Sequence, residues 1–331
     1  MLKATAVASP NIALIKYWGN RDATLRLPSN GSISMTLGGL TTETSVTFNA
    51  DFQRDEFFLN GEPIFGDALN RVSNHLDYIR RLAGIDTSAI VESRNNFPIG
   101  VGIASSASGF SALTVAASAA AGLDLSQQEL SRLSRLGSGS ACRSIYGGYV
   151  EWHRGEGDED SFATPLAKAN HWNLVDIIVV IHKEHKATGS TQGHLLAETS
   201  PLQDPRVEDA DRRLDVCRSA ILSKDFHRLA TVVEQDSNMM HAVMMTSSPP
   251  LLYIRPETIA VMKKITDLRS KGLEVCYTID AGPNVHCICT PSFEQEVTSE
   301  FSNLQGVIDI IRAIPGPDAS IIEVEATDPQ E

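Results

Sequence analysis

What this chain lacks narrows the field first. It has only five cysteines in 331 residues, an odd number without framework spacing, so a disulfide-stapled secreted scaffold is not expected. Cys142 and Cys217 stand alone, and Cys276, Cys287 and Cys289 lie in apolar, strand-like stretches that suit buried reduced thiols and a cytoplasmic setting. The Cys287-x-Cys289 spacing is not that of a zinc ribbon. Basic residues are scarce: 28 Lys and Arg against 41 Asp and Glu give a net charge of −13, which opposes binding to nucleic acid or to an anionic membrane. Apolar runs stay short, and the densest, residues 174–181, contains Asp176. Pro10, Asn11 and Lys16 interrupt the opening segment, so neither a membrane span nor a signal peptide is expected. There is no fixed-period repeat, and the acidic run from Glu156 to Asp160 reads as a solvated turn. No Gly-Lys pair occurs anywhere, which removes the Walker A loop.

What is present is ordinary globular composition, 42% apolar and 21% charged. At roughly 150 residues per domain the length suggests two domains, with a boundary near residue 172 that separates 1–172 from 173–331. Short alternating segments at 32–37, 43–49 and 56–59 read as strands, and Asn60-Gly61 is a strong hairpin signal. Helices are expected at 68–83, 105–121, 126–136, 207–223, 225–241 and 256–271, and further strands at 89–93, 147–152, 274–278 and 285–290. Strands and helices mix without strict βαβ alternation, which indicates an α+β class in both halves.

Several loops could carry chemistry. The stretch containing Gly100, Gly102, Ala104, Ser105 and Ser106 runs into a helix, whose free N–H groups can hold phosphate without lysine. It departs from the dinucleotide fingerprint because Ser105 stands where glycine is needed, and it is equally compatible with a plain helix cap. Ser138, Ser140 and Arg143 place two hydroxyls and a guanidinium within six residues, a pattern suited to a carboxylate or phosphate or to a surface loop. Asn11, Lys16, Tyr17 and Trp18 follow an opening strand; Lys16 could neutralise phosphoryl oxygens or lie along an edge. Asp280 ends a strand, where either a turn former or a catalytic carboxylate is found. Ser190 and Thr191 belong to a hydroxyl-rich glycine loop, and the nearby His182 and His185 do not form H-E-x-x-H, so they read as solvated rather than metal-binding.

In combination, Lys16-Tyr17-Trp18-Gly19, Gly102-Ile103-Ala104-Ser105-Ser106, Gly137-Ser138-Gly139-Ser140-Ala141-Cys142-Arg143, Ser190-Thr191-Gln192-Gly193, Asp236-Ser237-Asn238 and Asp280-Ala281-Gly282-Pro283-Asn284 resemble the diphosphomevalonate decarboxylase family of the GHMP kinase superfamily. The resemblance spans nearly the whole chain. It implies a two-domain fold, like ribosomal protein S5 domain 2 in the N-terminal half and ferredoxin-like in the C-terminal half, and it suggests a homodimer. It also implies ATP-dependent decarboxylation of a 5-phosphorylated mevalonate. A β-hydroxy acid has no carbonyl to accept the electrons of decarboxylation, so a group must leave C3. Water as the conjugate acid of the leaving group has a pKa of about 15.7. The corresponding value for phosphate is about 6, so phosphorylation improves departure by roughly ten units. By the resemblance, Asp280 orients or deprotonates the 3-hydroxyl, Lys16 sits beside it, and Arg143 grips the C1 carboxylate. Asn11, Tyr17, Trp18, Asn20, Arg71, Ser138 and Ser140 meet the substrate. Gly100, Gly102, Ala104, Ser105, Ser106, Ser190 and Thr191 hold ATP, whose phosphates carry Mg2+.

Two positions depart from that family: Asn20 stands where it usually has lysine, and His194 where it has methionine. Losing a cation beside a diphosphate tail lowers its attraction more than that of a monophosphate, which points to 5-phosphomevalonate giving isopentenyl phosphate; Arg21 and Arg71 could instead compensate, so 5-diphosphomevalonate and 5-phosphomevalonate both stay open as substrates. The rival readings are a kinase that stops at the 3-phosphate, a non-catalytic nucleotide-binding protein and a Rossmann dehydrogenase.

Overall fold

The computed structural model describes residues 2–98, 103, 105–183 and 189–326. In chain order its elements are β1 (Leu2–Ala8), β2 (Asn11–Ile15), β3 (Asn20–Asp22), β4 (Leu27–Pro28), β5 (Ser32–Gly38), β6 (Thr42–Asn49), β7 (Glu56–Leu59), β8 (Glu62–Ile64), α1 (Asp67–Ala83), β9 (Ser88–Asn95), α2 (Ser105–Ala120) and α3 (Gln127–Gly137). A 3-10 turn at Gly139–Ile145 leads to β10 (Tyr149–Trp152), β11 (Ala163–Ala167) and β12 (Val175–Val180). Then come α4 (Ser190–Leu196), α5 (Gln203–Glu208), α6 (Ala210–Ser223), α7 (Phe226–Thr246), α8 (Pro256–Ser270), β13 (Val275–Thr278), β14 (Val285–Cys289), α9 (Glu294–Ser302), β15 (Asp309–Pro315) and β16 (Ser320–Ala326).

The strands form two main sheets. One runs β16-β1-β6-β9-β7-β8, antiparallel except that β7 and β9 are parallel. The other runs β11-β10-β5-β15-β12-β14-β13, with β2 added on β5. The α+β class and two-domain architecture of the sequence reading hold. β15 joins the halves by pairing with both β5 and β12.

Local chemistry accounts for the element ends. In β6, Thr42, Thr44, Val46 and Phe48 point inward and alternate with more exposed residues, the period of a half-buried strand. Asn60 (φ 54°) and Gly61 (φ 87°) make the expected two-residue hairpin between β7 and β8. α3 opens with a capping box, the Ser126 side chain accepting from the Glu129 N–H while Glu129 bonds back to Ser126. α2 is too small-sided to be amphipathic and is buried nearly all round, packing Phe110, Leu113 and Ala117 among Val46, Leu76 and Val91.

One helix departs from the sequence reading. The single helix expected at 207–223 is two helices, α5 and α6, that meet at Asp209, whose carboxylate bonds Arg212 and Arg213 rather than prolonging the apolar stripe. The five cysteines are free and buried. Among the described residues no helix is long and apolar enough to cross a membrane.

Candidate active site

A cleft of about 710 Å³ opens between α2, the 3-10 turn, the segment after β2, α4 and the turn after β13. It gathers Asn11, Lys16, Tyr17, Trp18, Arg71, Ser105, Ser106, Ser138, Ser140, Arg143, Ser190, Thr191 and Asp280, residues dispersed over most of the sequence. Asn20 does not line it, and Gly100, Gly102 and Ala104 lie outside the described residues. Arg26 does line it, although nothing in its Leu-Arg-Leu setting marked it as more than a strand-end residue.

Charge is distributed unevenly around this cleft. Asp280 is the only carboxylate among the described lining residues, against Lys16, Arg26, Arg71 and Arg143. In a chain of net charge −13, that concentration of cations favours an anionic ligand. Lys16 is 1% exposed and its Nζ donates to Asp280 Oδ1 at 2.6 Å, while the Asp280 side chain stays 28% exposed toward the cleft. Burial pulls the Lys16 ammonium below the ordinary lysine range, and the Asp280 carboxylate works against that pull.

Arg143 is fully inside, at 2% exposure, yet its recorded partners are neutral. Its Nη1 donates to Ser32 Oγ at 2.6 Å, and its Nη2 and Nε both donate to Asn11 Oδ1, at 3.1 and 3.3 Å. Asn11 in turn donates to the Ser140 carbonyl and Ser144 Oγ, so its amide is spent on orienting Arg143 and the turn. Two other buried arginines differ, Arg213 pairing with Asp209 and Asp236 and Arg135 with Asp158, while Arg206, like Arg143, has neutral partners, the Trp18 and Lys16 carbonyls and Asn30 Oδ1, but does not line the cleft. Among the described residues, Arg143 has no carboxylate within ion-pair distance. A buried guanidinium that lines the cleft with N–H donors to spare suits an anionic ligand.

Tyr17 lies between Trp152, with centroids 4.7 Å apart, and His194, stacked at 4.1 Å. Its hydroxyl donates to Asn20 Oδ1 at 2.5 Å, so Asn20 reaches the cleft only through Tyr17. His194 Nδ1 accepts from the Gly19 N–H at 3.0 Å, and burial together with Arg26 and Arg206 drives its pKa down to about 3, keeping it neutral. Gly139 carries no side chain because a Cβ there would meet the Tyr17 ring at 2.6 Å. Arg21 is committed elsewhere, to the carbonyls of Arg154, Gly155 and Glu156, whereas Arg26 and Arg71 line the cleft. Arg71 bonds the Gly137 carbonyl and sits 5.1 Å over the Phe110 ring. Beside the cleft, a smaller apolar pocket of about 200 Å³ is lined by Phe57, Leu59, Val91 and Leu113 and shares Ser105, Ser106 and Arg71 with it.

Residues 8–163 match the family of diphosphomevalonate decarboxylase-like N-terminal domains, and residues 176–314 match that of mevalonate 5-diphosphate decarboxylase C-terminal domains. A diphosphomevalonate decarboxylase from Ganoderma lucidum is 40% identical over 314 residues, covering 87% of this chain and 78% of the relative. The chain belongs to the diphosphomevalonate decarboxylase family.

Solved structures of mevalonate diphosphate decarboxylases agree. The one from Staphylococcus aureus superposes with a TM-score of 0.92 at 41% identity, covering 98% of this chain and 99% of that one. A complex of MDDEF with MVAPP, AMPPCP and magnesium gives 0.91 at 37% identity, covering 97% and 99%. The members of this family that the chain matches are decarboxylases, so the rival reading of a kinase that stops at the 3-phosphate is not favoured.

Proposed function

We propose that this diphosphomevalonate decarboxylase acts on 5-diphosphomevalonate, using ATP and releasing ADP, phosphate, CO2 and isopentenyl diphosphate. The observation that carries the reading is the Lys16–Asp280 pair, 2.6 Å apart, at the floor of a cleft whose other charged lining residues, among those described, are cations. Asp280 accepts the hydrogen bond of the 3-hydroxyl and takes up its proton as the oxygen attacks the γ-phosphorus. Lys16 balances the charge gathered there. In the second step the C1–C2 bond breaks, its electron pair forms the C2=C3 double bond, and the C3–O bond releases phosphate. Arg143, fixed by Asn11 and Ser32, holds the C1 carboxylate in line for that cleavage.

The remaining donors suit the nucleotide. Ser105 and Ser106 at the start of α2, with Ser190 and Thr191 across the cleft, offer hydroxyls and N–H groups to phosphates, and the apolar side pocket receives the base. The described lining offers no second carboxylate to build a protein cage for Mg2+. The donor set therefore fits a magnesium ion carried by the ATP phosphates, where it neutralises their charge. Arg26 and Arg71 take the place of a lysine at position 20 toward the diphosphate tail. The division at residue 172 and a cytoplasmic location, consistent with five buried free thiols, belong to the same reading.

Turnover of 5-diphosphomevalonate should yield one ADP and one CO2 per event, with kcat/KM at least tenfold above that for 5-phosphomevalonate. Asp280→Asn should retain nucleotide binding and lose about 10³-fold or more in kcat, the upper range for a lost general base. ADP without CO2 would favour a kinase. A monophosphate preference would overturn the substrate assignment, and an Asp280→Asn enzyme within tenfold of the parent would overturn the mechanism.

A further inference from the structure

Lys16 and Asp280 come from strands that do not pair with each other. Lys16 follows β2, which pairs with β5, and Asp280 follows β13, at the far end of the same sheet path. Among the described residues, the hydrogen bond that links the two strands directly runs from Thr278 Oγ1 to the Ala13 carbonyl at 3.1 Å. A single hydroxyl bond is a slender basis for holding a 2.6 Å contact between residues 264 apart in sequence.

Helix α7 touches both. The Asp236 Oδ2 accepts the backbone N–H of Lys16 at 2.6 Å, and its Oδ1 is held by Arg213 Nε at 2.7 Å with both side chains wholly buried. One residue on, Ser237 Oγ accepts the N–H of Ile279, the neighbour of Asp280, at 3.0 Å. One turn further, His241 Nε2 lies 3.3 Å from the Ile279 carbonyl. The carbonyl of Lys16 is held from the other side by Arg206 Nη2 at 2.8 Å and Asn30 Nδ2 at 3.0 Å. We propose that α7 is the jig that sets the separation of Lys16 and Asp280, with Asp236 and Ser237 as positioning residues that never touch substrate. This rests on the reading of Lys16 and Asp280 as the reacting pair.

The arrangement also has an electrostatic side. Among the described residues, the charged and titratable groups facing Lys16 are Asp280 beyond β13, Arg143 on the 3-10 turn, Asp236 and His241 on α7, and Arg206 on α5. Asp236 supplies negative charge that favours the protonated form of Lys16. Removing that charge lets Lys16 lose its proton at lower pH.

The test compares the parent with Asp236→Asn, Asp236→Glu and Ser237→Ala for kcat, both KM values and the pH dependence of kcat. Misplacement of a reacting pair should lower kcat roughly tenfold or more in Asp236→Asn and Ser237→Ala, with KM changed less than about twofold. The alkaline limb should move to lower pH in Asp236→Asn and return in Asp236→Glu. Should Asp236→Asn fail to fold, the kcat-against-KM split in Ser237→Ala decides alone. Equal rises in KM, or an unmoved alkaline limb in a folded Asp236→Asn, would reduce α7 to ordinary support and overturn the proposal. A parent enzyme that shows no turnover at all would instead sink the decarboxylase reading.

Discussion

Arg143→Gln separates binding chemistry from scaffolding more sharply than any other substitution in this cleft. Of the five N–H donors on a guanidinium, three go to Asn11 and Ser32, leaving two for a ligand. Hydrogen bonds to charged groups contribute about 1.5–3 kcal/mol each, so losing two from a carboxylate removes about 3–6 kcal/mol. At about 1.4 kcal/mol per decade, kcat/KM should fall about 10²- to 10⁴-fold. Stability should respond in the opposite sense. The parent buries a cation without a carboxylate partner, a costly arrangement, whereas the neutral glutamine amide can still bond Asn11 or Ser32. The ligand-free variant should therefore melt at the same temperature as the parent or higher, and gain less from added substrate. Coupled ADP-release kinetics and thermal melts with and without substrate measure both. A clear fall in the ligand-free melting temperature, or a kcat/KM within tenfold of the parent, would show that Arg143 is structural.

Two further outcomes follow from the same geometry. Gly139→Ala would drive a methyl into the Tyr17 ring, which His194 and Trp152 hold from both sides, so substrate KM should rise and the melting temperature fall; unchanged values for both would refute the packing argument. His75 and His194, held at about 3, and His241, at about 4, bind fewer protons folded than unfolded, where histidine titrates near 6.5. Their contribution is complete above about pH 6.5 and is lost as pH falls toward 4, so the melting temperature should drop over that window. His194→Met should make the drop shallower, and an unchanged slope would count against neutral burial of this ring.

Much of this was visible in the residues themselves. Asn60-Gly61, the Ser126–Glu129 box and the 3.6-residue spacing of Val72, Leu76 and Ile79 each act over a few positions, and so read directly. The lining residues that sequence singled out share a trait: glycines and hydroxyls beside charge, which a plain connector has little use for. Arg26 escaped, and Asp236, although part of the Asp236-Ser237-Asn238 segment that carries the resemblance, had no role assigned to it, because both act through partners far along the chain. Arg26 lines the cleft together with Arg71, and Asp236 accepts the backbone N–H of Lys16, 220 residues away. The break at Asp209 was hidden for the opposite reason: helix propensity runs on through it, and only the arginines of α6 reveal the corner. His194 stood out as a departure, but its neutrality comes from three-dimensional burial.

The ladder between β1 and β16 ties residues 2–8 to residues 320–326, and β15 inserts between strands made much earlier. During synthesis, then, β1 must wait for β16 before its outer hydrogen bonds are met. A nascent chain truncated after the first half would carry an open edge on each of its two sheets. Pairing of these edges is thus late relative to the strands they join, and anything that shields the early edges in the interval has a clear physical task.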